Sequence, residues 1–307
     1  MLTIFTVPKP FAGHIGVIQR NAIRSWRRLE PAGQVILCGA EPDVRPAAEE
    51  LGVQWSADVC CNRFGTPLLD SVFHRAAMLA EHSLLCYVNA DIILLPDFLD
   101  AVRRVRLDAF LLVGQRWDVD LPFPWDFDEQ HWELKLRRHV ARCGKLHRPA
   151  GSDYFVFPRD CGLEALPAFA VGRQGWDNWM IANARQRGVP VVDTTFCTTV
   201  IHQNHDYAHV PLGDGQSYAG VESAENARLL GPNFIPCNLA FVTHLLLPIG
   251  LRPRPRRRYL LKRLRQWYER GGPLRRPLLP WSRLQRFAEE LLVYRHLAAE
   301  RSPLARG

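Results

Sequence analysis

The chain has 307 residues, 47% of them apolar, enough to bury one large core or two modest ones without staples. Its eight cysteines are scattered, with no Cys-x-x-Cys pair, which argues against a zinc knuckle or a secreted disulfide framework and for reduced thiols in a cytoplasmic compartment. The net charge of +8 is uneven: residues 252–307 carry +12 and the 251 residues before them carry −4, so the body lacks the basic excess of a nucleic-acid binder and the tail is strongly basic.

The start, MLTIFTVPKP, has no basic n-region and meets Pro8 at once, so no secretory leader is expected. Leu2–Val7 is a β-branched and aromatic run that predicts a strand. His14–Leu29 has helical spacing at Val17, Ile18, Ala22, Ile23 and Trp26. Gln34–Cys38 predicts a strand, Arg45–Leu51 a helix and Val53–Trp55 a short strand. Pro67–Glu81 predicts a helix with Pro67 in its first turn. Leu84–Val88 is the next strand, Pro96–Val105 the next helix, and Ala109–Val113 closes the series. This alternation predicts an α/β fold with a mainly parallel sheet covered by helices on both faces.

From Gly114 the rhythm is lost. Residues 115–149 are rich in Trp, Asp, Pro and Arg and read as an insertion or lid. Beyond it, the YFVF run within Gly151–Pro158 predicts a strand, Trp176–Arg187 a helix, and Val189–Val192 and Thr198–His202 two short strands. The apolar run Leu239–Leu251 is broken by Thr243, His244 and Pro248 and is too short for the ~20 residues of a membrane span. RPRPRRR reads as a linker, dividing a domain at 1–251 from a basic tail at 252–307 with amphipathic helices near Tyr259–Glu269 and Ser282–Ala299.

The stretch YVNADIILLP, Tyr87–Pro96, puts Asn89 and Asp91 directly after a strand. Ligands of open α/β sheets bind beyond the carboxyl ends of parallel strands. Two polar residues at i and i+2 share one side of an extended segment, so one can reach a ribose and the other a divalent cation. Three later stretches are of interest: PAGSDYFVF (149–157), GWDNWM (175–180) and VIHQNHDYAH (200–209). Each has an ordinary account when read alone: a turn into a strand, a helix cap at Asp177 with a buried Trp pair, and structural histidines.

Taken in order, these stretches resemble the GT-A nucleotide-diphospho-sugar glycosyltransferases of the family 2 type, whose mark is an Asp-x-Asp after a central strand; the resemblance spans roughly residues 2–210. Asn89-Ala90-Asp91 is a degenerate form of that mark. The resemblance implies a Rossmann-like sheet and a Mn²⁺ or Mg²⁺ cofactor held by Asp91 and His202, with His205 the next candidate. It implies that Asn89 serves the donor, that Gly151 and Asp153 form a glycine-containing loop toward a sugar, and that Asp177 is the general base. Trp176 and Trp179 would stack on sugar faces, and His205 would contact acceptor or diphosphate if it is not a ligand. TVPKPFAGHIGVIQRNAIRSW places Thr6, Lys9 and Arg20 where the nucleotide is received, and QRNAIRSW resembles the Arg-x-x-Ile-Arg-x-Trp element of β-galactosyltransferase-like enzymes; Arg24 is expected in a structural ion pair.

The expected reaction is metal-dependent, inverting transfer of a sugar from a nucleotide-diphosphate donor, by default a UDP-sugar, to a hydroxyl of a saccharide or lipid-linked acceptor. A nucleotidyltransferase ranks lower because TVPKPFAGH offers only Gly13 for a phosphate loop. A phosphoesterase is suggested by QNHD, but IFTVPKP lacks the early Asp-x-His that such enzymes use. A non-catalytic role in binding anionic membrane rests on residues 252–299, which would place the protein peripherally on the inner face of the membrane and suit polysaccharide assembly. No nucleic-acid partner is expected.

Overall fold

The computed structural model describes residues 2–29, 33–205, 220–231 and 234–254. The two tail helices expected near 259–269 and 282–299 lie outside the described residues. Residues up to Pro255 form one compact unit.

The first half follows the alternation read from the sequence: β1 (Leu2–Thr6), α1 (Gly13–Leu29), β2 (Gln34–Cys38), α2 (Val44–Leu51), β3 (Gln54–Ser56), α3 (Leu69–Leu79) and β4 (Leu84–Val88). The helix predicted over 67–81 is shorter at both ends. Pro67 and Leu68 stay extended in bridges to Cys61 and Ala170, so Pro67 precedes α3 instead of opening it. Then come β5 (Ile92–Leu94), α4 (Pro96–Arg104), β6 (Leu111–Val113), β7 (Trp117–Val119), α5 (Trp132–Cys143) and β8 (Lys145–Leu146). The remaining elements are β9 (Tyr154–Pro158), α6 (Trp176–Gln186), β10 (Val191–Asp193), β11 (Val200–Gln203), α7 (Val221–Leu230), β12 (His244–Leu247) and β13 (Gly250–Pro253).

Nine strands form the large sheet in the order β13-β12-β10-β6-β9-β4-β1-β2-β3. It is mainly parallel. β9 runs antiparallel to both β4 and β6, and β13 antiparallel to β12 at the edge. The period of two in β1 and β4 sends Leu2, Ile4, Cys86 and Val88 to one face, where they pack with Ile23 and Trp26 of α1, Ala47 of α2 and Phe98 of α4. The opposite face is an aromatic layer. Phe5 meets Phe73 of α3 edge-on at 4.9 Å, and Tyr87 meets Trp176 of α6 edge-on at 5.0 Å. The expectation of helices on both faces therefore holds.

The segment 115–149, expected as an insertion or lid, carries secondary structure of its own. Its strands β7 and β8 belong to a second sheet, β5-β11-β7-β8. Helix α5 covers that sheet through Leu136 and Val140, which join Ile93, Leu95, Val119 and Ile201 in a separate small core. The linker expected after Gly250 needs correction. Gly250–Pro253 is β13, so the sheet takes in residues 252 and 253, which were read as the start of the tail. Among the described residues no helix is long and apolar enough to cross a membrane, and all eight cysteines are free.

Candidate active site

The small sheet brings the polar residues together. β4 ends at Val88, residues 89–91 turn, and β5 restarts the chain at Ile92 toward Pro96 at the start of α4. The turn is tied down: Asn89 N donates to Asp153 O at 2.9 Å and Ile92 N to Asn89 O at 3.2 Å. β11 runs between β5 and β7, with His202 opposite Ile92 on one side and Asp118 on the other. His202 Nε2 thereby lies 3.7 Å from Asp91 Oδ2, and His205 Nε2 lies 3.2 Å from the same oxygen.

One ligand atom from each of Asp91, His202 and His205 can be chosen so that all three lie within 4.8 Å of one another. Asp91 Oδ1 is buried and has no hydrogen-bond partner. A buried carboxylate oxygen left in that state is costly unless something satisfies it. A divalent cation does so, and the residues present fit one. Two imidazoles beside one carboxylate are donors that a divalent cation accepts.

The electrostatics agree with the geometry. Burial pushes the Asp91 carboxyl upward, but His202, His205 and Lys9 outweigh it and hold the group well below the usual carboxylate range. His202 is raised above the ordinary imidazole value: burial opposes its charge, while Asp118 and Asp91 favour it. Burial lowers Lys9 against the pull of Asp91.

Sequence reading missed several residues here. Asp118 lies 3.2 Å from His202 Nδ1 through Oδ1, and its Oδ2 is 2.7 Å from His147 Nδ1. Arg116 bridges Asp118, at 3.0 Å, and Asp153, at 2.5 Å. Gln203 donates to the Asp91 carbonyl from both its backbone N, 3.2 Å, and its side-chain Nε2, 3.1 Å. Asn21 of α1 in turn donates to Gln203 Oε1 at 2.9 Å. The Trp- and Asp-rich composition of 115–149 was the available signal for Asp118. Nothing local pointed to Gln203.

The acceptor-side candidates are spread differently. Asp153 is buried, and its Oδ1 accepts from Asn89 Nδ2 at 2.8 Å while Oδ2 is paired with Arg116. It is therefore an anchored carboxylate within the site, already engaged by two donors. Gly151 has φ of 85°, and a Cβ there would meet nothing within 4 Å, so glycine serves the turn and not a close approach. Gly175, with φ of 100°, lets α6 begin where Asp177 falls in its first turn. Burial raises the Asp177 carboxyl; backbone hydrogen bonds from Asn178 and Ser152 act against that. Trp176 corrects an expectation. It is 6% exposed and its ring packs on Tyr87 and Phe155, so it has no face to offer a sugar. Trp179 is half-buried against Phe169.

On the nucleotide side, Thr6 ends β1 with its hydroxyl buried and without a partner. The backbone of Lys9 is clasped by Gln19, which accepts from its N–H at 2.7 Å and donates to its carbonyl at 2.8 Å. Arg20 is engaged elsewhere: its guanidinium forks onto Glu50 at 2.8 to 3.0 Å, so it is not brought to the Asp91 cluster. Arg24 lies 3.7 Å from the same carboxylate, the ion pair expected of it. Residues 206–209 of the histidine-rich stretch lie outside the described residues.

No family model matches the sequence. No curated protein matches it either. Solved structures similar to this chain include glucosyl-3-phosphoglycerate synthase from Mycobacterium tuberculosis in complex with Mg²⁺ and UDP. That likeness has a TM-score of 0.46 and 14% identity, over 83% of this chain and 87% of that one. The same mycobacterial enzyme with Mn²⁺, UDP-glucose and phosphoglyceric acid gives a TM-score of 0.43 at 14% identity, over 75% and 78% of the two chains. A candidate nucleotide-diphospho-sugar transferase from Desulfovibrio desulfuricans G20 gives 0.38 at 12%, over 76% and 98%.

Proposed function

We propose that this chain is a metal-dependent glycosyltransferase that moves a sugar from a nucleotide-diphosphate donor, a UDP-sugar by default, to an acceptor hydroxyl with inversion. The observation that carries the reading is the convergence of Asp91, His202 and His205 beyond the carboxyl end of β4, with a buried Asp91 oxygen that has no hydrogen-bond partner. A divalent cation bound there supplies positive charge to the departing diphosphate. Asp91, His202 and His205 would hold it, and Lys9, whose charge is felt at Asp91, would face the same phosphates.

Asp177 is the proposed base. As the acceptor oxygen attacks the anomeric carbon, its proton passes to the Asp177 carboxylate, the carbon–oxygen bond to diphosphate breaks, and the nucleoside diphosphate leaves. Partial burial suits Asp177 to that task because it raises the group's proton affinity above that of an ordinary carboxylate. Asp153, hydrogen-bonded to Asn89 at 2.8 Å, is close enough to Asp177 for its charge to be felt there.

The test is a thermal-shift screen of nucleotide sugars with and without Mn²⁺, followed by transfer assays with the donor so found. Stabilisation by one nucleotide class only when Mn²⁺ is present is the expected result. Unchanged transfer by both Asp91→Ala and Asp177→Ala would sink the reading.

A further inference from the structure

Resting on the metal-dependent reading above, the geometry points to Asp118 as the residue that orients His202 for metal binding, a positioning residue that acts through the imidazole.

The argument begins with strand register. β7 and β11 run parallel with Asp118 and His202 paired in the ladder, so both side chains stand on one face of the small sheet. The two ring nitrogens of His202 then face different carboxylates. Nε2 is turned to Asp91 at 3.7 Å, and Nδ1 to Asp118 at 3.2 Å. The Asp118 contact lies off the line of a hydrogen bond, and Nδ1 is buried with no hydrogen-bond partner. A histidine that ligates through one nitrogen needs an acceptor at the other, to fix the tautomer and raise the basicity of the ligating atom.

Asp118 is itself held. His147 Nδ1 lies 2.7 Å from its Oδ2, and Arg116 Nε lies 3.0 Å from its Oδ1. His147 follows β8, which pairs with β7 at Asp118 opposite Lys145. The segment 115–149 thus has a task at the site: it delivers an anchored carboxylate to the far side of His202. His205 has a different geometry. It reaches Asp91 Oδ2 at 3.2 Å from the chain beyond β11, directly after Asn204, whose N–H donates to Val119 O of β7 at 2.8 Å.

The experiment is Mn²⁺ titration of the full chain, followed by electron paramagnetic resonance, with imidazole-nitrogen couplings read from the bound ion. Wild type should bind one Mn²⁺ with two imidazole couplings, and His202→Ala should lose one. Asp118→Asn, nearly isosteric and folded by circular dichroism, should weaken Mn²⁺ binding about 10- to 100-fold and alter the His202 coupling while leaving that of His205. Asp118→Glu, which keeps the charge, should recover part of the affinity. A purely structural role for Asp118 would lower the melting temperature without changing the couplings. The proposal is overturned if folded Asp118→Asn binds Mn²⁺ as tightly as wild type with both couplings intact while His202→Ala does not. A wild type that binds no Mn²⁺ would overturn both this proposal and the metal-dependent reading beneath it.

Discussion

Asn89 donates its side-chain amide to Asp153 Oδ1 at 2.8 Å while its backbone N–H donates to the Asp153 carbonyl at 2.9 Å. The pair is closed through both side chain and main chain. It accounts for the uncharged residue at the first position of the degenerate Asp-x-Asp. A carboxylate at 89 would face the carboxylate of 153, which already holds Arg116.

The Asn89→Asp substitution is therefore expected to destabilise the protein by about 1–3 kcal/mol, because it replaces a donor with a like charge against a buried acceptor. The Asn89→Asp/Asp153→Asn double variant should regain most of that loss by restoring one donor and one carboxylate. Denaturant unfolding of the two single variants and the double variant gives the coupling directly. A double variant no more stable than the sum of the singles would refute the charge argument.

Removing the carboxylate at 91 should act on metal and catalysis together. Asp91→Ala is expected to abolish the rise in melting temperature on adding Mn²⁺ and to cut kcat by on the order of 10²-fold or more, a loss of several kcal/mol in the transition state. Differential scanning fluorimetry with a Mn²⁺ series checks the first part, and steady-state transfer kinetics the second.

Asp177 gives a pH signature. Its carboxyl is raised by burial, and the proposed base must be ionised to work. Activity should therefore fall as pH drops through a value above the ordinary 3.8, with full activity on the alkaline side. Asp177→Asn should lower kcat by about 10²- to 10⁴-fold and remove that acid limb. A kcat profile of wild type and variant with the identified donor measures both. A wild-type acid limb at or below the ordinary carboxylate value would contradict the assignment.

Trp176 separates packing from sugar stacking. With its ring in the aromatic layer beside Tyr87, Phe155 and Phe73, Trp176→Ala is expected to cost about 3–5 kcal/mol of stability. A stacking residue would instead raise KM for a substrate with little effect on unfolding. Chemical denaturation beside KM measurements distinguishes the two.

The parts of the fold legible in the sequence are those with strong local signals. Leu84–Val88 is a run of apolar residues that ends where Asn89 begins, and Pro96 marks the first turn of α4, so the turn carrying Asp91 could be located from sequence alone. The small sheet could not. β7 is Trp-Asp-Val and β8 is Lys-Leu, too short and too polar for a period of two to show. Their strand identity comes from partners distant in sequence, Ile201 to Gln203 for β7. Asp118, His147 and Arg116 were hidden for that reason, whereas Asp91 and His202 each follow or occupy an apolar strand that announces itself. Trp176 was misread because a Trp near a polar helix start looks alike in a core and at a sugar site. The Arg20–Glu50 ion pair was not legible either, because Glu50 lies on another helix.

The order in which the small sheet closes has a consequence for biosynthesis. β5 precedes most of the chain, but β11, its partner, comes only after every large-sheet strand except β12 and β13. A growing polypeptide released before Val200 would hold most of the large sheet and still lack the proposed ion site, because two of its three proposed ligands follow that residue. Contacts of such long sequence separation form slowly. On the proposed reading, a nascent chain gains the full ligand set only once it extends past His205, before β12 and β13 are made.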